Sequence, residues 1–138
     1  MKTLAIVVTN DAFDKILTPL GIAYLMAAED VQVDMLFVNW AVTALKTGGA
    51  SNLHIDGRHA VDEEKMRAGM AKAGLPTDMY ELIKALKGTG CVNMYACSMA
   101  AAIFGVDETN LIPEAEGIVG LAWFLNEKAD KADHYQYF

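Results

Sequence analysis

"CVNMYACSMAAAIFG", residues 91–105, is the stretch whose reading decides the fold. Cys91 to Ala96 form a short apolar run of strand character, and Ser98 to Phe104 form a second apolar run, rich in alanine and stopped at Gly105. A strand that passes directly into a helix is the first half of a βαβ unit, the element from which parallel sheets are built. Working outward, "TLAIVVTN" (3–10) is rich in β-branched residues and bounded by polar ones, as expected of a strand buried on both faces. "TPLGIAYLMAAED" (18–30) reads as a helix with Thr18 as N-cap and Pro19 at the first helical position. A start nearer Asp14, with Pro19 inside the helix, fits the same residues. "VQVDMLFVNW" (31–40) is a second strand and "AVTALKTGG" (41–49) a short helix closed by Gly48 and Gly49.

Residues 50–76 are polar and only weakly periodic, so they read as a mobile excursion carrying one modest helix over about 62–73. Beyond Pro76 the pattern sharpens. Asp78 and Glu81 have capping-box spacing, and Met79, Leu82, Ile83 and Leu86 recur at helical intervals. The 98–104 helix is apolar nearly all round, which predicts deep packing, with Met99, Ile103 and Phe104 in the core. A connection with one brief extended segment leads to a last helix, "GLAWFLNEKADKA" (120–132), and "DHYQYF" (133–138) closes as a strand. The expected architecture is a single α/β domain over 1–138. It has three layers, a mainly parallel five-stranded sheet and helices on both faces, in the manner of flavodoxin.

Composition narrows the function classes. A chain of 138 residues with 54% hydrophobic and 21% charged content closes a real core and is not disordered. The apolar surplus predicts a homo-oligomer. A net charge of −7 argues against nucleic acid and anionic membranes as partners. No run approaches the roughly 18 apolar residues of a membrane span, so no membrane insertion is expected. Two cysteines without a disulfide framework point to the cytoplasm.

The chemistry centres on Cys97. Sites in open parallel sheets form beyond the carboxyl ends of the strands, and helix N–H groups following Cys97 favour its thiolate, the form that attacks or carries sulfur. Ser98 adds a hydroxyl. From placement alone, this reading stands level with simple packing, the usual fate of a free cysteine. Cys91 reads as structural. The spacing Cys91-x5-Cys97 is too wide for a thioredoxin-type turn, and a strand rise of about 3.3 Å per residue sets the two roughly 20 Å apart. No arginine follows Cys97, which argues against a cysteine phosphatase. His54, Asp56 and His59 match no metal-binding spacing, so neither metal nor cofactor is expected. Asn10, Asp11 and Asp14 follow the first strand and are expected to border the pocket of Cys97, with Trp40 as a pocket wall or an interface aromatic.

The stretch from Gly88 to Phe138 resembles the DsrE/DsrF-like family of sulfur-relay proteins. The resemblance lies in Ala96-Cys97-Ser98-Met99 at a strand end, the small helix closing at Gly105-Val106, the Leu-Ile-Pro connection at 111–113 and the C-terminal aromatic strand. The N-terminal half agrees through its first strand, the pair Asp14-Lys15, and Trp40 just past the second strand. The excursion at 50–76 resembles the insertion of the longer members, although it is poorer in methionine, and the Met-Ser-Met-Asp run common there is missing after Cys97. The resemblance implies that Cys97 accepts a sulfane sulfur as a persulfide and hands it to a TusA-like or rhodanese-like partner. Asn10, Asp14, Trp40, Ser98 and Met99 are then the candidate pocket residues. Some such proteins are called peroxiredoxin-like. A non-catalytic oligomeric or small-ligand-binding protein of the same fold is the alternative.

Overall fold

Five short apolar strands assemble edge to edge because none of them alone can satisfy its backbone and bury its side chains. In the computed structural model, which describes residues 1–138, these are β1 (Thr3–Val8), β2 (Gln32–Phe37), β3 (Val92–Cys97), β4 (Gly117–Val119) and β5 (His134–Tyr137). All neighbouring pairs run parallel, in the order β4-β3-β2-β1-β5. The α-helices are α1 (Phe13–Ala27), α2 (Glu63–Lys72), α3 (Met79–Gly88), α4 (Ser98–Phe104) and α5 (Leu121–Phe124), the last running on as a π-helical turn over Leu125–Ala129.

The chain steps from β1 through β4 in one direction and then returns past β1 to place β5. Right-handed crossovers put α1 and α3 on one face and the α5 segment on the other. Alternation along the strands agrees. Val33, Met35, Phe37, Val92, Met94 and Ala96 are fully or almost fully buried, and α1 packs on α3. On the α5 face Tyr95 meets Trp123 and Phe124 edge-on, with ring centroids 5.5 and 6.1 Å apart. Also on that face, Asp34 accepts from Asn93 at 3.1 Å and pairs with Lys128 at 3.3 Å.

Several boundaries differ from the sequence reading. Helix α1 begins at Phe13, in line with the earlier of the two starts read from the sequence, so Thr18 is no cap and Pro19 lies inside the helix. The reason is local. Asn10 Oδ1 accepts from the Ala12 amide and Phe13 is buried, so the first turn is already anchored before Thr18 is reached. The expected helix at 41–49 is instead a 3-10 segment over Asn39–Leu45. Gly49 follows it at a close approach of backbone to backbone, where a Cβ would stand 1.8 Å from the Thr43 carbonyl oxygen. Asp78 caps α3 by accepting from the Tyr80 amide at 2.9 Å, but Glu81 pairs with Lys84 and leaves the box unclosed. Helix α4 is not deeply packed: Ala100 and Ala101 are buried, whereas Met99 and Ile103 are 64% and 68% exposed. Seven residues make two turns, and only one stripe of so short a helix can face the sheet. The same holds for α5, where Phe124 alone is buried.

Residues 50–76 lie over the start of α1. Their turns at Ala50–Asn52 and Gly57–Asp62 precede α2, and Ala50, Leu53, Ile55 and Met70 reach the core. Arg67 ties the segment together. It stacks 3.8 Å over the Phe13 ring and donates to the Thr77 carbonyl at 2.5 Å, the Leu53 carbonyl at 2.8 Å and Glu63 at 3.2 Å.

Candidate functional site

The register of the sheet fixes the surroundings of Cys97. Cys97 ends β3, pairs with Val119 of β4 and precedes the first turn of α4. Side chains alternate along a strand, so Cys97 faces the same side as Asn93 and Tyr95, the side covered by α5. Across the sheet this face carries Leu36 and Val7, and Val7 pairs with Tyr137 of β5.

Above these residues lies a cavity of about 640 Å3 with Cys97 in its wall. Val7, Leu121, Leu125 and Tyr137 line it from the sheet and α5, and Met99 and Ile103 from α4. Thr9 and Asn39 are the polar residues that border it at the strand ends. No lysine, arginine, histidine or carboxylate borders it. Burial, and then the neighbouring Tyr137, raises the Tyr135 phenol above its ordinary value, so Tyr135 remains neutral at pH 7. Cys97 itself is 2% exposed, and both cysteines are free. Cys91 precedes β3 and is half-buried, with its carbonyl accepting from Val33.

The residues expected around Cys97 divide. Met99 lines the cavity with it. Asn10 and Asp14 line a separate, smaller cavity of about 400 Å3 beyond β1, together with Thr18 and Phe138, and only Thr9 borders both cavities. Ser98 is exposed and lines neither. Trp40 is exposed and stacks on Phe104 of α4, with ring centroids 4.4 Å apart, so it braces α4 rather than walling the cavity. Asp11 accepts from Thr43 at 3.3 Å. Tyr135 and Tyr137 are cavity residues that the sequence reading missed, and their i, i+2 spacing on a strand was the available signal. Leu121 and Leu125, apolar positions of the last helix, stand open to the cavity.

His54, Asp56 and His59 do not converge. His54 lies 3.1 Å from Glu63, Asp56 faces Lys15 at 3.8 Å, and His59 accepts from Arg58. No group of three or more histidine, cysteine, aspartate or glutamate side chains is arranged to hold a metal ion. No helix is long and apolar enough to cross a membrane.

Fold and site together define a class: a parallel α/β domain whose chain-central strand delivers a free thiol to an apolar cavity. The chain belongs to the DsrE/DsrF-like family, whose sequence profile matches residues 2–135. Solved structures share the fold. The ychN protein from E. coli superposes with a TM-score of 0.72 at 16% identity, covering 100% of both chains. MTH1491 from Methanobacterium thermoautotrophicum, a protein of unknown function, gives 0.58 at 14% identity over 99% of both chains. BT1422 from Bacteroides thetaiotaomicron, also of unknown function, gives 0.62 at 12% identity over 99% of this chain and 95% of its own. No protein with a curated description matches the sequence significantly.

Proposed function

We propose that this protein is a sulfur carrier in which Cys97 accepts a sulfane sulfur as a persulfide and passes it to a partner thiol. The observation that carries this reading is the free thiol of Cys97 in the wall of an apolar cavity at the carboxyl edge of the sheet. In the first step the Cys97 thiolate attacks the outer sulfur of a donor persulfide, R–S–SH. A bond forms between Cys97 Sγ and that sulfur, the R–S bond to it breaks, and its electron pair leaves on the donor thiolate, which takes the proton. In the second step the acceptor's thiolate attacks the carried sulfur and regenerates the Cys97 thiolate. Neither step changes the net oxidation level. An apolar surround serves the carried state by keeping stray polar thiols away from it.

The exposed apolar side chains at the mouth fit a homo-oligomer. Leu121, Trp123, Tyr135, Tyr137, Met99 and Ile103 are all exposed and lie on α4, α5 and β5. A sedimenting mass above the 15.0 kDa of one chain is the expected outcome. A small TusA-like or rhodanese-like carrier is the proposed exchange partner, and the cytoplasm, where thiols stay reduced, the proposed compartment.

One observation favours a second reading. A cysteine only 2% exposed among apolar neighbours is also what an inert packing residue looks like, and the protein would then bind or assemble without carrying sulfur. Intact-mass measurement after incubation with a low-molecular-weight persulfide separates the two. The carrier reading expects one or more added sulfur atoms, lost in Cys97→Ser and kept in Cys91→Ser. No adduct on the wild-type protein supports the second reading, and an adduct that survives in Cys97→Ser moves the chemistry to Cys91.

A further inference from the structure

We propose that the Asn39 carboxamide donates the hydrogen bond that holds the persulfide anion on Cys97; this rests on Cys97 being the carrier. The argument begins with distance across the sheet. Phe37 pairs with Ala96, so Val38 stands level with Cys97 and Asn39 one residue beyond it, at the same edge on the adjacent strand and bordering the same cavity. Adjacent strands are about 4.8 Å apart. Backbone N–H groups of the first turn of α4 aside, the other polar groups of the cavity are farther away. Thr9 follows β1, two strands and roughly 10 Å from β3, and Tyr135 and Tyr137 belong to β5, three strands and roughly 14 Å away. The Thr9 hydroxyl is moreover committed, donating to the Phe138 carbonyl at 2.7 Å. On the opposite side of β3, Val119 pairs with Cys97 and Gly120 follows it, so β4 offers no polar side chain there.

Asn39 also has an unusual backbone. Its φ is +50°, in the left-handed region that strains residues with a Cβ. The chain places glycine in that region at Gly48, Gly57, Gly74, Gly90 and Gly105, and the other exception, Asp30, lies in the turn after α1. At the edge of the cavity it keeps a residue that tolerates the conformation and adds an N–H donor. The Asn39 side chain is exposed and takes no part in the neighbouring hydrogen bonds, in which Thr43 serves Trp40 and Asp11. It is therefore free to turn toward a ligand.

A terminal persulfide sulfur is anionic, and no cation borders the cavity to balance it. An anion in apolar surroundings needs donors, and a hydrogen bond to a charged group carries about a tenfold effect or more on the equilibrium. A neutral amide provides this without the fixed counter-charge that would trap the sulfur and slow its release.

The test compares Asn39→Gly and Asn39→Asp with the wild type, each loaded with a low-molecular-weight persulfide and followed by intact mass. Asn39→Gly keeps the left-handed backbone and deletes the amide; Asn39→Asp keeps size and turn propensity and replaces the donor with a negative charge. The expected result is a Cys97 persulfide that decays about tenfold faster in Asn39→Gly, at an unchanged melting temperature. In Asn39→Asp, loading falls further and its pH profile moves to higher pH. Wild-type loading and lifetime in Asn39→Gly would reduce Asn39 to a turn residue and overturn the inference while leaving Cys97 as carrier. Absence of any sulfur on the wild type would overturn both.

Discussion

Arg67 offers the most direct test of how residues 50–76 are held. Its guanidinium makes two hydrogen bonds to backbone carbonyls, at 2.5 Å to Thr77 and 2.8 Å to Leu53, and lies 3.8 Å over the Phe13 ring. Each carbonyl bond contributes about 1 kcal/mol net, and the stacked cation about 0.5–1 kcal/mol. The half-buried carboxylate contact to Glu63 is left out of this sum because desolvation of the two charges offsets much of their attraction. Arg67→Ala is therefore expected to cost about 2–3 kcal/mol, read as a lower urea midpoint at unchanged slope. Arg67→Lys keeps the charge beside Glu63 but loses the planar fork and the stack, so it is expected to lose most of the same stability. Amide exchange localises the effect: protection should fall at Phe13, whose N–H donates to the His54 carbonyl, before it falls in β1. A loss below about 0.5 kcal/mol in Arg67→Ala, or full rescue by lysine, would refute the claim that geometry rather than charge holds the segment.

Two further outcomes follow from named atoms. Gly49→Ala places a methyl carbon where the Thr43 carbonyl oxygen already stands, 1.8 Å away, and backbone must move to admit it. The expected cost is about 2 kcal/mol or more, and an unchanged thermal midpoint would show that the turn has room to shift. Glu63 has its carboxyl lowered from 4.5 to about 2, first by the Ile55 amide and then by His54. A depressed folded-state value means that its contribution is fully present above about pH 4.5 and is lost as pH falls toward 2. Protection of the Ile55 amide should decline across that window in the wild type and lose this pH dependence in Glu63→Gln. An identical profile in both proteins would exclude Glu63 as the titrating group.

The sequence by itself determined the parallel α/β class and the junction at Cys97. Those signals are local: β-branched apolar runs, helical spacing at Met79, Ile83 and Leu86, and a stop at Gly105, where φ is +68°. Local signals also located β5 and α2 within a residue or two, whereas β4 was legible only as one brief extended segment somewhere in the connection after Gly105. Tertiary structure decided what surrounds the thiol. Asn10 and Asp14 border a different cavity, beside Val8 and the Thr18 and Pro19 positions of α1, because Val8 faces the opposite side of the sheet from Val7 and Cys97. Strand order brought Tyr135 and Tyr137 to the thiol's side of the sheet, though they lie near the far end of the chain, because β5 returns past β1 instead of continuing beyond β4. It also turned Met99, Ile103, Leu121 and Leu125 outward, since a two-turn helix buries a single stripe whatever the hydrophobicity of its other faces. Periodicity tells which residues are apolar and on which face they fall. Only the order of the strands tells which neighbour that face meets, and at Cys97 that order makes Asn39 the nearest polar side chain across the sheet.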